Sequence, residues 1–409
     1  MQYIKRSIEE TLFKAGNTFK AVLVTGPRQV GKSTVLKQLY SDVEYTTFDN
    51  PVELNDAVSE PGLFMKNHPC PIILDEVQYA TDLFPYIKME CDRTEENGNF
   101  YLTGSQQFHL MNHVSESLAG RIAILELQGL SLREIQGISF QKPFIPTEEF
   151  FSERKKSHVS CAHIWEIIHR GSYPALQNSE VDWEQFYGSY VQTYIERDIN
   201  ELLQVKDKLK FTQFLTCMAA RTGQLLNYAS IADELELSAP TIKNWVSMLE
   251  TSGIIYLLQP YSNSALNRAI KTPKVYFRDT GLVCFLTKWT SAKAAAVSAM
   301  AGGLFETFVI SEILKSYTNA GKDYRFSIHY YRGKDKAKES EIDLIIEENG
   351  ILHPIEIKMS ANPKLEMTNA FDVLDKVPGK KRGLGAIICM YEKMYYLKEN
   401  IAVVPVEDI

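Results

Sequence analysis

The sequence predicts an α/β protein in four parts: a parallel sheet carrying a phosphate-binding loop, a helical segment, a winged-helix unit, and a C-terminal α/β unit. Three observations predict it. Over the first 150 residues, short apolar strands alternate with helical segments, the pattern of a parallel sheet covered on both faces. The run Gly26-Pro27-Arg28-Gln29-Val30-Gly31-Lys32-Ser33 reads G-x-x-x-x-G-K-[ST] at a strand-to-helix junction. Asn349-Gly350 joins two apolar runs as a two-residue hairpin turn.

Strands are expected at 21–25, 44–48, 71–75, 100–104 and 122–127. The first leads into the loop, and residues 34–40 lead out of it as a helix. Backbone N–H groups of the loop and the positive end of that helix suit a phosphate chain, while Gly26 and Gly31 permit angles and close approach that side chains block. ATP is the expected ligand, bound by Gly26, Pro27, Arg28, Gln29, Val30, Gly31, Lys32, Ser33 and Thr34. Lys32 is expected on the β and γ phosphates, and Ser33 on Mg²⁺. The third strand ends in Asp75-Glu76. Asp75 would hold Mg²⁺ through water and Glu76 would polarise the attacking water, since phosphoryl transfer is mostly positioning and charge stabilisation. The fourth strand ends at Thr103-Gly104-Ser105-Gln106, which makes Thr103, Ser105 or Gln106 the expected sensor of the γ-phosphate. Arg121, just before the fifth strand, is the candidate for a positive charge on the transition state, within its own subunit or across a homo-oligomer interface. A surface arginine at a helix end explains it equally well.

Leu74-Asp75-Glu76-Val77-Gln78, Leu102-Thr103-Gly104-Ser105 and Leu118-Ala119-Gly120-Arg121, together with the loop, resemble a large prokaryotic group of AAA+ ATPases. Members of that group carry a C-terminal domain of unknown function resembling a nuclease, and the likeness covers essentially the whole chain. It implies an AAA+ core over residues 1–150, a helical lid and connector over 151–215, a winged-helix domain over 216–295 and a nuclease-like domain over 296–409. Gly171-Ser172-Tyr173-Pro174 is similar to a Gly-x-Pro element that lies near the nucleotide in the lid of related ATPases. The chain departs from many AAA+ enzymes in lacking asparagine at the fourth strand's sensor position.

Composition narrows the class. At 409 residues with 45% apolar content, each unit can have a core. No run has the length of a membrane span, and residues 5–10 lack the organisation of a signal peptide, so a cytoplasmic protein is expected. The six cysteines are scattered without a C-x-x-C pair, which suggests neither a disulfide framework nor a zinc site. His109-x-x-x-His113 is one helical turn apart but lacks a third nearby ligand. A net charge of -7 argues against a uniformly basic surface, yet Lys322, Arg325, Arg332, Lys334, Lys336 and Lys338 form one basic cluster and Lys380, Lys381 and Arg382 another.

Residues 187–203 read as the most regular helix of the lid. The next unit gives a helix from Tyr228, a turn at Glu236-Leu237-Ser238, a second helix from Ala239 with Ser238 as N-cap, and a strand at 254–258 after Gly253. This winged-helix pattern can enter a DNA groove or serve as a protein contact. Its second helix offers Lys243 and Asn244, whereas the first brings Asp233, Glu234 and Glu236, a poor balance for neutralising phosphates.

If Asn349-Gly350 fills the turn, Glu348 pairs with Ile351, which places Asp343 opposite Glu356 and Glu341 opposite Lys358 on one face. A four-residue loop keeps that face, and a three-residue loop breaks it. Opposed Cβ atoms lie about 4.5–5.5 Å apart, so two carboxylates crowd unless a cation intervenes. The spacing Asp-x₁₂-Glu-x-Lys resembles the PD-(D/E)XK nuclease superfamily. By that resemblance Asp343, Glu356 and Glu306, the last from a helix at 304–317, would bind Mg²⁺, and Lys358 would stabilise the transition state. DNA is the implied partner. The alternative is a signalling or scaffolding ATPase whose nuclease-like unit is inactive and binds protein.

Overall fold

The structure, a computed structural model, describes residues 3–105, 114, 117–195, 208–261, 272–333 and 340–409. Gln106, His109, His113, the end of the 187–203 helix, and Lys334, Lys336 and Lys338 lie outside the described residues. Among the described residues no helix is long and apolar enough to cross a membrane, and all six cysteines are free.

Five parallel strands form the N-terminal sheet: β1 (Ala21–Thr25), β2 (Glu44–Thr47), β3 (Ile72–Asp75), β4 (Phe100–Gly104) and β5 (Ile122–Glu126). Each lies where the apolar runs predict a strand. The spatial order is β2-β3-β4-β1-β5, so β1 and its loop sit between β4 and β5 at the carboxyl edge. Strands β1, β3 and β4 are buried along their whole length, as parallel strands covered on both faces must be.

The next unit is a small antiparallel sheet, β6 (Gln224–Leu225), β7 (Ile255–Leu258) and β8 (Lys274–Phe277), packed with helices Lys208–Ala220, Tyr228–Leu235 and Ala239–Thr251. Ser238 caps the last of these, its hydroxyl accepting from the Thr241 N–H at 3.2 Å. Ile242, Trp245, Val246 and Leu249 form the helix's buried stripe at the 3–4 residue spacing of an amphipathic helix. The chain turns out of it at Gly253, with φ +72°.

A seven-stranded mixed sheet closes the molecule: β9 (Ile328–Arg332), β10 (Glu341–Glu348), β11 (Ile351–Lys358), β12 (Lys381–Arg382), β13 (Gly385–Cys389), β14 (Tyr395–Lys398) and β15 (Ile401–Pro405). In the β10–β11 hairpin Glu348 pairs with Ile351 and Leu344 with Ile355, the register of the two-residue turn. Asn349 and Gly350 both take positive φ, 51° and 80°, as such a turn demands. The helix Ala301–Asn319 is buried on nearly all sides because it packs between this sheet and the N-terminal part. Glu312 accepts from the Leu132 N–H at 2.7 Å, and the Lys315 ammonium donates to the Leu130 carbonyl at 2.9 Å.

One hydrophobic core therefore runs through all the units. Its polar seam is centred on Asp279, just after β8. The carboxylate accepts from the Ser172 N–H (2.7 Å) and hydroxyl (2.8 Å), the Tyr187 hydroxyl (2.6 Å) and the Leu282 N–H (2.7 Å). Ser172 belongs to the Gly171-Ser172-Tyr173-Pro174 element, and its carbonyl accepts from the Leu130 N–H at 2.7 Å. Replacing Asp279 by alanine strands these buried donors, so Asp279→Ala is expected to cost on the order of 3–5 kcal/mol and Asp279→Asn clearly less. Urea-unfolding midpoints measure this; equal midpoints for wild type and Asp279→Ala would remove Asp279 from its central place.

Candidate functional site

The loop's shape is imposed from outside as well as by its glycines. At Gly26, φ +142°, a Cβ would meet the Leu127 carbonyl oxygen at 2.0 Å, so only glycine fits against the chain leaving β5. Gly31, φ +95°, is the N-cap of the helix Lys32–Leu39. Arg6, which nothing in the sequence singles out, is buried beneath the loop. Its guanidinium donates to the carbonyls of Val30 and Gln128, both at 2.8 Å, and pairs with Glu134 at 3.1 Å. Lys32 is buried, its ammonium held by the carbonyls of Gly26 (3.1 Å) and Pro27 (3.0 Å).

Hydroxyls surround the acidic end of β3. Oδ1 of Asp75 accepts from Ser33 at 2.6 Å and from Thr103, while Oδ2 accepts from Tyr45 at 2.7 Å. Burial first, then the bond to Asp75, raises the Tyr45 phenol above its ordinary range and keeps it a proton donor. Glu76 adopts left-handed backbone, φ 58° and ψ 45°, a conformation that costs a non-glycine residue energy and is concentrated at functional positions. Its N–H donates to Thr103 Oγ1 at 3.1 Å, and its carboxylate accepts from Gln78 and from Ser105 at 3.2 Å. Ser33, Asp75, Glu76, Thr103 and Ser105 thus form one hydrogen-bonded group at the carboxyl edge. Tyr45 and Gln78 join it without a sequence signal beyond their places on β2 and after β3.

Arg121 is not in this group. Its carbonyl accepts from the Ala21 N–H, which puts it at the amino edge, and its guanidinium is paired with Asp92 on the surface. A five-residue strand is ~17 Å long. That length separates Arg121 from the loop of its own chain, so of the two roles left open by the sequence the one within its own subunit does not fit.

The second group is the C-terminal carboxylate cluster, which assembles residues from two units. Lys358 bridges Asp343 at 3.1 Å and Glu356 at 2.5 Å. Lys274 of β8 bridges Glu341 at 2.6 Å and Glu306 at 3.4 Å, and Tyr276 donates to Glu306 at 2.5 Å. Burial, with Asp343 adding and Lys358 opposing, raises the Glu356 carboxyl to about 8. Glu306 is also raised, by burial first and then by Asp343. Burial works against the Lys358 charge, but Asp343 and Glu356 outweigh it and keep the ammonium charged.

An all-carboxylate donor set suits a hard divalent cation such as Mg²⁺. Four carboxylates face two ammoniums, and Oε2 of Glu356, a residue 7% exposed, has no hydrogen-bond partner. Charge and donor chemistry therefore fit a cation. The present geometry differs from the expected one: among the described residues no three acidic, His or Cys side chains converge to hold a metal. Each lysine stands between a pair of acids and divides the set.

The basic clusters are less free than their sequence suggests. Arg325 pairs with Asp323 (2.7 Å), Lys380 with Glu347 (2.5 Å), and Arg382 with Asp372 (2.7 Å) and Asp375 (3.0 Å). Lys243 and Asn244 are exposed on the helix Ala239–Thr251, but Asp233, Glu234 and Glu236 are exposed beside them.

Residues 18–136 match a family model described as an AAA domain. Residues 162–293 and 301–409 match two domains of unknown function, DUF8612 and DUF4143. Uncharacterized proteins of Mycobacterium tuberculosis and Mycobacterium bovis are each 25% identical to this chain, over 99% of it and 84% of their own length. Among solved structures, a Walker-type ATPase of Pyrococcus abyssi is similar at 14% identity, covering 69% of this chain and 96% of its own, with a TM-score of 0.40. The N-terminal part of the chain is therefore similar to AAA domains and carries the G-x-x-x-x-G-K-[ST] loop that such domains use for phosphate.

The raised Glu356 carboxyl makes stability depend on pH. Below about 4.5 the group is protonated in folded and unfolded chains alike and contributes nothing. As pH rises from there to about 8, only the unfolded chain ionises it freely, so stability falls. Glu356→Gln should flatten this part of the profile, compared by urea midpoints at pH 5 and pH 8; an unchanged slope would contradict the assignment.

Proposed function

We propose that the chain is an Mg²⁺-dependent ATPase whose nucleotide turnover is coupled to a metal-assisted site for DNA in its C-terminal unit. The observation that carries the ATPase reading is the hydrogen-bonded group linking Ser33, Asp75, Thr103 and Glu76 beside the loop. Mg²⁺, when bound, would supply charge neutralisation between the β and γ phosphates. Ser33 and Asp75 would hold it, and residues Gly26 to Thr34 would hold the phosphates, with Lys32 turning from the loop carbonyls to the γ oxygens. Glu76 would orient the attacking water, and Ser105 and Gln78 would orient Glu76. Thr103 touches both acids and is the favoured sensor, since its hydroxyl registers any movement of either.

The division is an AAA+ core (1–150), lid (151–215), winged helix (216–295) and nuclease-like unit (296–409), although its second and third boundaries fall inside the helices Lys208–Ala220 and Ala292–Ala296. Coupling has a route. A Cβ on Gly253, at the end of the second helix of the helix-turn-helix, would lie 3.0 Å from the Pro27 ring, so that unit rests directly on the phosphate loop.

At the C-terminal site, Asp343, Glu356 and Glu306 would hold the cation, which would polarise a phosphodiester and its attacking water. Lys358 would move from the carboxylates to the charge that develops on the phosphate. A second reading has its own support: the lysine bridges already neutralise much of the cluster, as expected of an inactive, protein-binding unit.

Lys32→Ala should weaken ATP binding at least tenfold, whereas Glu76→Gln should bind ATP and hydrolyse it at a small fraction of the wild-type rate. Fluorescent-nucleotide titration and phosphate release separate the two, and equal hydrolysis by Glu76→Gln and wild type would sink the role given to Glu76. For the second site, linear, branched and single-stranded DNA are incubated with Mg²⁺ or Mn²⁺, with and without ATP. Cleavage lost in Asp343→Ala and Lys358→Ala supports the DNA reading; no cleavage of any substrate favours the binding unit.

A further inference from the structure

Lys274 belongs in sequence to the helix-turn-helix unit, yet its side chain ends in the carboxylate cluster of the next one. Its backbone sits at the start of β8, opposite Leu258 of β7 and Leu225 of β6. Its side chain is 5% exposed and leaves that small sheet to bridge Glu341 at 2.6 Å and Glu306 at 3.4 Å. Tyr276, two residues on and therefore on the same face of the strand, donates to the same oxygen of Glu306. Lys358 makes the matching bridge between Asp343 and Glu356 from within the hairpin.

The two bridges leave the cluster with four carboxylates and two ammoniums. The surplus has a location, because Oε2 of the buried Glu356 lacks any partner. We propose that Lys274 is a built-in occupant of the carboxylate site, its ammonium engaging Glu306, which a divalent cation would share with Asp343 and Glu356. This rests on reading the cluster as a cation site. An ammonium carries half the charge of Mg²⁺ or Mn²⁺ and is tethered to β8, so incoming metal must displace it, and the competition lowers metal affinity. Withdrawing Lys274 would let Glu306 turn toward Asp343 and Glu356 and complete an all-oxygen donor set. The lysine thereby makes cation binding conditional on where the neighbouring unit sits.

The test uses the full chain without nucleotide, with Mn²⁺ as the probe and free Mn²⁺ followed by electron paramagnetic resonance. Removing one partner from a buried ion pair strands the other, so Lys274→Met should tighten Mn²⁺ binding by about tenfold or more. Lys274→Arg, which keeps the charge, should stay close to wild type. Adding Glu306→Gln to Lys274→Met should abolish the gain, which separates this site from Asp75. Thermal unfolding gives a second readout: Mn²⁺ should raise the melting temperature of Lys274→Met more than that of wild type. Wild-type binding that depends on Glu306 but is unmoved by Lys274→Met, in affinity and in melting shift, overturns the role of Lys274 alone. No Glu306-dependent Mn²⁺ binding in any variant overturns the cation reading and the proposal with it.

Discussion

The architecture depends on a partly buried ion pair between Arg278, just after β8, and Glu126, the last residue of β5. Arg278 also donates to the Tyr324 hydroxyl at 2.8 Å, and its own carbonyl accepts from Ser311 of the long helix. Burial disfavours its charge, but Glu126 and Tyr324 outweigh that cost and hold the guanidinium firmly charged. One side chain therefore joins the parallel sheet, the small antiparallel sheet and the C-terminal unit. Breaking the pair would leave one of the two charges without its partner where the units meet, so the pair helps to fix them together.

Around that pair, six consecutive residues meet every part of the molecule. Lys274 and Tyr276 reach the carboxylate cluster, Arg278 reaches β5, and Asp279 ties in the helical segment before the small sheet through Ser172 and Tyr187. Alternation along the strand sends Lys274, Tyr276 and Arg278 to one side. Because Glu126 pairs with Thr25 in the sheet, the last residue before the phosphate loop, the same segment stands next to both candidate sites.

The two sites treat charge in opposite ways. At Asp75, neutral hydroxyls from Ser33, Thr103 and Tyr45 satisfy the carboxylate and leave its charge for an incoming cation. In the C-terminal cluster the acids are matched by lysines, and the part left unmatched shows as a raised carboxyl at Glu356. The first arrangement is poised for a cation-bearing ligand. The second must first give up an ammonium.

Much of this was legible in the sequence because it is local. The phosphate loop, the acidic end of β3, the five strands, Ser238 as a cap and the Asn349-Gly350 turn each depend on residues a few positions apart, and the hairpin register followed from that two-residue turn and side-chain alternation. The face shared by Asp343, Glu356 and Lys358 was readable for the same reason. Arg6 under the loop, Tyr45 on Asp75, Lys274 among the acids and Arg278 on Glu126 were not, since each joins residues from 24 to more than 150 positions apart and carries no motif. Arg121 precedes β5 in a sheet whose strands all run the same way, which puts it at the edge away from the loop. Local spacing was enough to assign the residues able to bind phosphate and cation. Which charges face one another was decided only when burial forced distant polar groups to find partners.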